Sequence, residues 1–359
     1  MFTSVYLAHE EKFVISSLPI LKHPHVIVLS RKFVFTSMKK NGEGMEVASE
    51  NRTVNQVEEK IILTLLYYDI FNYPLKAEEV FRFLGTDHID LADIKRELKG
   101  LKRKKLIFQF GDFFSVQNSE VNAVRRSRGN DFAARSLPLA RRKANLISKF
   151  PFVRAVMASG SLAKGYMDQN SDLDFFIITE PGRLWIARTL LVMYKRLFLF
   201  NSHKHFCVNY FIDSNHLEIE EKNLFTATEL ATIIPLYGRE FYYDLQKANS
   251  WISTLFPNYS SLPADNVALS KDGFIQRISE GLLNLLAPAR LENFFMKLTL
   301  RRWNRVYRKK YADADFQVAF KSKEYASKNH PNHYQRKVED LYLQKVSAFH
   351  VKIESTWDV

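Results

Sequence analysis

The segment Ala158-Ser-Gly-Ser-Leu-Ala-Lys-Gly-Tyr-Met-Asp-Gln-Asn-Ser-Asp-Leu-Asp174 constrains the fold more than any other, because it links a Gly-Ser turn to an Asp-x-Asp pair. Phe152-Val-Arg-Ala-Val-Met-Ala158 is a short apolar run suited to a buried strand, and Gly160-Ser161 interrupts it where a helix can begin. A helix start presents unpaired backbone N–H groups and a positive dipole end, which suit a phosphate. Gly160 allows close backbone approach, and Ser161 adds a hydroxyl. Ser171-Asp-Leu-Asp-Phe-Phe-Ile-Ile178 reads as a second strand, so Asp172 and Asp174 should share one face. Adjacent carboxylates repel unless a cation lies between them, and hard oxygen ligands favour Mg²⁺. The competing reading makes the turn an ordinary strand-to-helix connection and the aspartates solvated loop residues.

The pattern Gly-Ser-Leu-Ala-Lys-Gly followed by Ser-Asp-Leu-Asp resembles the nucleotidyltransferase superfamily, over roughly residues 150–235. That resemblance implies an α/β (α+β) core with a mixed sheet, and transfer of a nucleoside monophosphate from an NTP to an acceptor hydroxyl with two Mg²⁺ ions. It assigns Asp172 and Asp174 to the metals, and Gly160, Ser161, Lys164 and Ser171 to the nucleotide. The superfamily takes a third carboxylate from a later strand, and here the chain departs from the pattern. In Phe206-Cys-Val-Asn-Tyr-Phe-Ile-Asp213 the matching position holds Asn209, an uncharged ligand. Asp213 has the same strand parity and is the substitute candidate, with Glu218 and Glu220 behind it. An Asp-Ser-Asn turn is an equal reading for Asp213. A fold retained without turnover is a further alternative.

The 359 residues, 46% hydrophobic, suffice for two or three domains. The one cysteine, Cys207, excludes an internal disulfide and fits a reducing compartment; within an apolar strand it is expected to be a buried, inert thiol. No uncharged apolar run is long enough to span a bilayer, so the expected location is the cytoplasm, without a membrane partner. Residues 1–50 read as a disordered extension or an artefact of start-site choice, with translation beginning at Met45.

Residues 51–118 read as three helices, Gln56–Asp69, Lys76–Leu84 and Asp90–Lys105, followed by a hairpin turning at Gly111-Asp112. This order resembles a winged helix-turn-helix. Its third helix would offer Lys95, Arg96, Lys99 and Arg103, with Lys102, to nucleic-acid phosphates; a protein-docking module is the equal alternative. Residues 119–150 form a basic helical connector carrying Arg125, Arg126, Arg128, Arg135, Arg141, Arg142, Lys143 and Lys149. With Arg301-Arg-Trp-Asn-Arg-Val-Tyr-Arg-Lys-Lys310 they supply much of the +13 net charge. Nucleic acid or the nucleotide's own triphosphate fits such a field. Residues 151–240 are the expected core and 241–359 a helical domain closing the cleft. Arg183–Phe200 reads as a helix with Leu184, Ala187, Leu191, Tyr194 and Phe198 as its core stripe, and Asn223 starts another whose Glu229 is expected at the surface, with the cleft as the alternative. His330 and His333 lack a second ligand pair and read as a loop. Two other functions fit the same motifs: a nucleotide-sensing DNA-binding regulator, and a toxin–antitoxin or defence component of a bacterium.

Overall fold

The structure, a computed structural model, describes residues 55–199, 206–271, 273–310, 316, 319–329 and 334–355. The expectations for residues 1–50, and for His330 and His333, fall outside them. The described part begins with α1 (Gln56–Asp69), α2 (Ala77–Arg82) and α3 (Leu91–Arg103), then a hairpin of β1 (Phe108–Phe110) and β2 (Phe113–Ser115). Gly111, at φ +58°, makes the turn. Local chemistry sets the helix starts. The Asn55 side chain accepts the Glu58 N–H at 2.8 Å while the Glu58 carboxylate accepts the Asn55 N–H, and Asp90 caps α3 at 2.7 Å. Glu58 also takes Lys104 at 2.7 Å, tying the start of α1 to the end of α3.

A helix of 28 residues, α4 (Glu120–Ile147), leads into the core. There a six-stranded mixed sheet runs in the order β6-β3-β4-β5-β8-β7. Its strands are β3 (Val153–Ser159), β4 (Asp174–Thr179), β5 (Cys207–Asp213), β6 (Ile234–Tyr237), β7 (Ser322–Lys323) and β8 (Ala326–Lys328). β3 is antiparallel to β4 and β6, whereas β4 and β5 are parallel. A parallel pair needs a crossover, and α6 (Leu184–Phe198) supplies it. Of its predicted core stripe, Leu184, Ala187 and Leu191 are fully buried, while Phe198 is exposed.

Three elements differ from the sequence expectation. After α7 (Leu224–Thr232) the chain extends into β6, where Pro235 is tolerated because an edge strand has one free hydrogen-bonding side. The C-terminal part, expected to be helical, contributes β7 and β8, and β8 pairs antiparallel with β5. Its helices are α8 (Arg239–Ala248), α9 (Ile252–Leu255), α10 (Phe274–Leu285), α11 (Pro288–Tyr307) and α12 (Tyr334–Ser355). Carboxylates anchor two of these to the core. Glu292 of α11 accepts the Trp185 and Ile186 N–H groups at 2.9 and 2.8 Å, capping α6, and Glu280 of α10 accepts the Phe152 N–H and pairs with Arg154.

Each sheet face has its own apolar cluster. One joins Phe175, Ile177 and Phe211 to α4, α6 and α11; the other joins Met157, Phe176 and Ile178 to α7, α8, α12 and the N-terminal helices. The N-terminal helices therefore share a core with the sheet. Phe83 meets Phe256 at 5.4 Å and Tyr67 meets Tyr342 at 5.7 Å.

Arg126 fastens this junction, which corrects its expected place among the polyanion-facing cations. It is buried; its guanidinium donates to Asn130 Oδ1 (2.7 Å), Pro74 O (2.9 Å) and Glu79 Oε1 (2.7 Å) and lies 3.6 Å from the centre of the Tyr73 ring. Replacing Arg126 with Ala should lower stability by about 3 kcal/mol, the low end for breaking a buried pair because Glu79 keeps some access to water. Urea unfolding of Arg126→Ala against wild type measures this, and a loss below about 1 kcal/mol would remove the residue from that role.

Candidate active site

The Gly-Ser turn and the second aspartate meet because β3 ends where β4 begins. Ser159 is the register partner of Asp174, so Gly160 and Ser161 leave the sheet directly beside that carboxylate. Gly160 has φ +65°, in the left-handed region that a side chain resists. The helix that follows, α5 (Gly160–Ala163), is one turn long. Its dipole is correspondingly small, and the anion-directed feature of the turn is its backbone N–H groups. The return loop is fixed from α4: Met167 N–H donates to Gly129 O at 3.1 Å, and a Cβ at Gly129 would lie 2.2 Å from the Tyr166 ring. Tyr73, stacked against Arg126, donates its hydroxyl to Lys164 O.

Asp174 opens β4 and is buried; Asp172 precedes the strand rather than lying in it and is buried as well. Asn209 also reaches Asp174. The β4–β5 register slips by one residue between Phe175 and Phe176, and Asn209 occupies the slip, donating from Nδ2 to Asp174 Oδ1 at 3.1 Å. Burial first, then the charges of Asp172 and Glu229, push the Asp174 carboxyl up from an ordinary 3.8 to about 7, against a hydrogen bond from the Cys207 thiol. Burial pushes that thiol itself up to about 12, so Cys207 is no nucleophile; it is a neutral hydrogen-bond partner of Asp174.

Other predicted residues sit elsewhere. Asp213 pairs in register with Thr179, five residues along β4 from Asp174 and so roughly 16 Å away. It accepts Asn215 N–H at 3.0 Å and lies 2.7 Å from His216 Nδ1; the turn reading holds and it does not join the cluster. Glu218 pairs with Lys222, and Glu220 with Lys323. Ser171 closes the turn on Asp168, taking the Asp168 N–H at 2.9 Å and donating to its Oδ1 at 2.9 Å. Lys164 turns its ammonium to Glu229 and to Gly160 O at 3.3 Å. Glu229, expected at the surface, is thus brought to the turn by α7. No local signal marks it, since its place depends on α5 meeting α7. Asp172, Asp174, Asn209, Gly160, Ser161, Lys164 and Glu229 form one neighbourhood.

Beside it opens a cavity of about 350 Å³, walled by Ser159, Asn209 and Glu229 toward the carboxylates and by Phe176, Tyr210 and Phe225 toward the sheet and α7. Among the described residues no group of three His, Cys, Asp or Glu side chains forms a metal cluster. The two buried carboxylates nonetheless suit Mg²⁺, which is commonly bound by one or two carboxylates together with substrate phosphates. None of the described helices is long and apolar enough to cross a membrane.

Residues 141–228 match the family model of the nucleotidyltransferase domain, a span from the last turns of α4 to α7 that includes the turn, both aspartates and Asn209. The chain therefore carries a nucleotidyltransferase domain and is an enzyme of that class. No curated protein and no solved structure matches it at a significant level.

The raised Asp174 pKa has a definite sign. Between about pH 4 and pH 7 the native chain holds a proton that the unfolded chain has released, so metal-free stability falls as pH rises through that window. Asp174→Asn, which keeps the acceptor for Asn209, should raise the metal-free Tm at pH 8 and give a smaller rise at pH 5. Thermal melts in EDTA at both values check this. An equal rise at both would mean that Asp174 is ionised throughout.

Proposed function

We propose that this enzyme transfers a nucleoside monophosphate from an NTP to an acceptor hydroxyl, releasing pyrophosphate. The observation that carries the reading is the burial of Asp172 and Asp174 against the Gly160–Ser161 turn, with the cavity opening beside them. Asp172 and Asp174 would hold Mg²⁺, which neutralises phosphate charge and acidifies a bound hydroxyl. The backbone N–H groups of the turn and the Ser161 hydroxyl would receive phosphate oxygens. Asn209 stands where the superfamily pattern has its third acid, and its amide fixes the Asp174 carboxylate instead of adding a charge. Glu229 keeps Lys164 at the turn, so that the cation faces the nucleotide end of the site. The apolar walls of the cavity limit water at the reacting phosphate and leave space for an acceptor.

Asp172→Ala/Asp174→Ala should abolish transfer from α-labelled NTP while the Tm holds or rises, since like charges are removed. Incubation of each labelled NTP with Mg²⁺ and cell extract reads transfer directly. Wild-type turnover in the double variant would overturn the site assignment.

A nucleic-acid contact through a winged-helix N-terminal region is the finer reading of α1 to β2. It is supported by the order of three helices and a hairpin, and by exposed Lys99 and Arg103 on α3. Lys95 pairs with Glu78 at 2.8 Å and Arg96 with Asp93, so part of that basic face is balanced within the protein. Neutralising Lys95, Arg96, Lys99 and Arg103 should weaken binding and reduce the slope of log affinity against log salt by about one unit per lost phosphate contact. An unchanged slope would assign the helix a structural role.

A further inference from the structure

The cavity contains a cation that the family match does not reach. Lys328 is the last residue of β8, one hundred residues past the end of the matched span, and it lines the cavity while remaining only 8% exposed. Its placement follows from sheet register. Met157 pairs with Phe176, Phe176 with Tyr210 and Tyr210 with Lys328, so the four side chains form one row across a single face of the sheet. Asp174 lies two residues before Phe176, on the same face by strand alternation. Two strand spacings and two residues of rise put the Lys328 Cα about 12 Å from that of Asp174, close enough for its long side chain to extend over the cavity floor. Its ammonium lies over the face of Tyr210, with Nζ 5.7 Å from the ring centre.

What makes this lysine informative is that Tyr210 gives its ammonium a ring face but no anion. Among the described residues, none hydrogen-bonds or ion-pairs with its ammonium. Three carboxylates that act on it electrostatically are engaged with other groups. Glu229 holds Lys164, Glu221 holds Lys321 at 3.1 Å, and Glu339 accepts from Gln335 at 3.3 Å. Burial depresses the Lys328 pKa. A buried ammonium without an anionic or hydrogen-bonding partner is costly to a folded chain, and such groups are usually neutralised or paired. In a cavity lined by Asn209, whose amide holds Asp174, an incoming anion would be that partner.

We propose that Lys328 is an anion-binding residue of the active-site cavity, taking a phosphate or carboxylate group of a substrate. The inference rests on the nucleotidyl-transfer reading, which supplies two sources for the anion. One is the triphosphate tail of the NTP, which leaves as pyrophosphate; the other is an acidic substituent on the acceptor. Either source makes the C-terminal β7–β8 hairpin part of substrate recognition.

The test uses the full chain with Lys328→Met, which keeps the length of the stem and suits the apolar walls, and Lys328→Arg, which keeps the charge. Calorimetry with Mg²⁺ measures binding of NTP, the corresponding NMP and pyrophosphate, and then of inorganic phosphate with a non-hydrolysable NTP analogue already bound. If the tail is the anion, Lys328→Met loses about tenfold or more in NTP and pyrophosphate affinity, as expected for a charge-assisted hydrogen bond, with NMP affinity unchanged. If the acceptor supplies the anion, NTP and pyrophosphate binding is unchanged and phosphate binding in the presence of the analogue is lost. Lys328→Arg should retain at least part of either affinity, and the Tm of Lys328→Met should hold or rise because an unpaired buried charge is gone. Unchanged binding of all these anions in Lys328→Met overturns the proposal, as does an equal loss for NMP and NTP. Failure of wild type to bind any Mg-NTP would instead overturn the nucleotidyl-transfer reading on which it rests.

Discussion

The Arg126 guanidinium is the contact on which the shape of the site depends. It is buried on α4, and its donors reach the loop before α2, the α2 side chain Glu79 and its own helix. A buried guanidinium tolerates few other arrangements, because its planar fork needs several acceptors in fixed directions. Satisfying it holds Tyr73 under the cation, and Tyr73 in turn donates to the Lys164 carbonyl just after the Gly-Ser turn. Three residues further along α4, Gly129 receives the Tyr166 ring and accepts from Met167. The Gly160–Ser161 turn is therefore held from outside by α4 and the N-terminal helices, and not only by the strand that leads into it.

That dependence explains what the sequence reveals and what it conceals. The turn and the aspartates are legible because their chemistry is local: a glycine at positive φ, two acids two residues apart, and apolar runs that must be strands. The same holds for α1, α3 and the β1–β2 hairpin, whose caps and turn residues lie beside the elements they delimit. Glu229 and Lys328 are not legible, since each reaches the cavity through pairing between distant segments. β8 is three residues long and gains its meaning from β5, more than a hundred residues earlier. A two- or three-residue strand among helices carries no periodicity to detect. Asp213 shows the opposite error. Strand parity grouped it with Asn209, but the register slip at Asn209 turns Asp213 to the face opposite Asp174, and five residues of rise place it out of reach as well.

The charges of the site alternate. Asp172 and Asp174 crowd at the strand mouth, Lys164 and Glu229 pair at the turn, and Lys328 stands on the cavity floor. Burial acts on both signs in the same way, raising the Asp174 carboxyl toward neutrality and depressing the Lys328 ammonium. Empty, the site stores unfavourable electrostatics that the apolar clusters on the two sheet faces must offset. A ligand that brings a divalent cation to the aspartates and an anion to the lysine relieves both at once, so each half should bind better in the presence of the other. Nucleoside triphosphate complexed with Mg²⁺ has that polarity within one molecule. An amide at Asn209 fits the same logic: in so buried a place a further carboxylate would raise the cost of the empty state, whereas the amide holds Asp174 in position without adding charge.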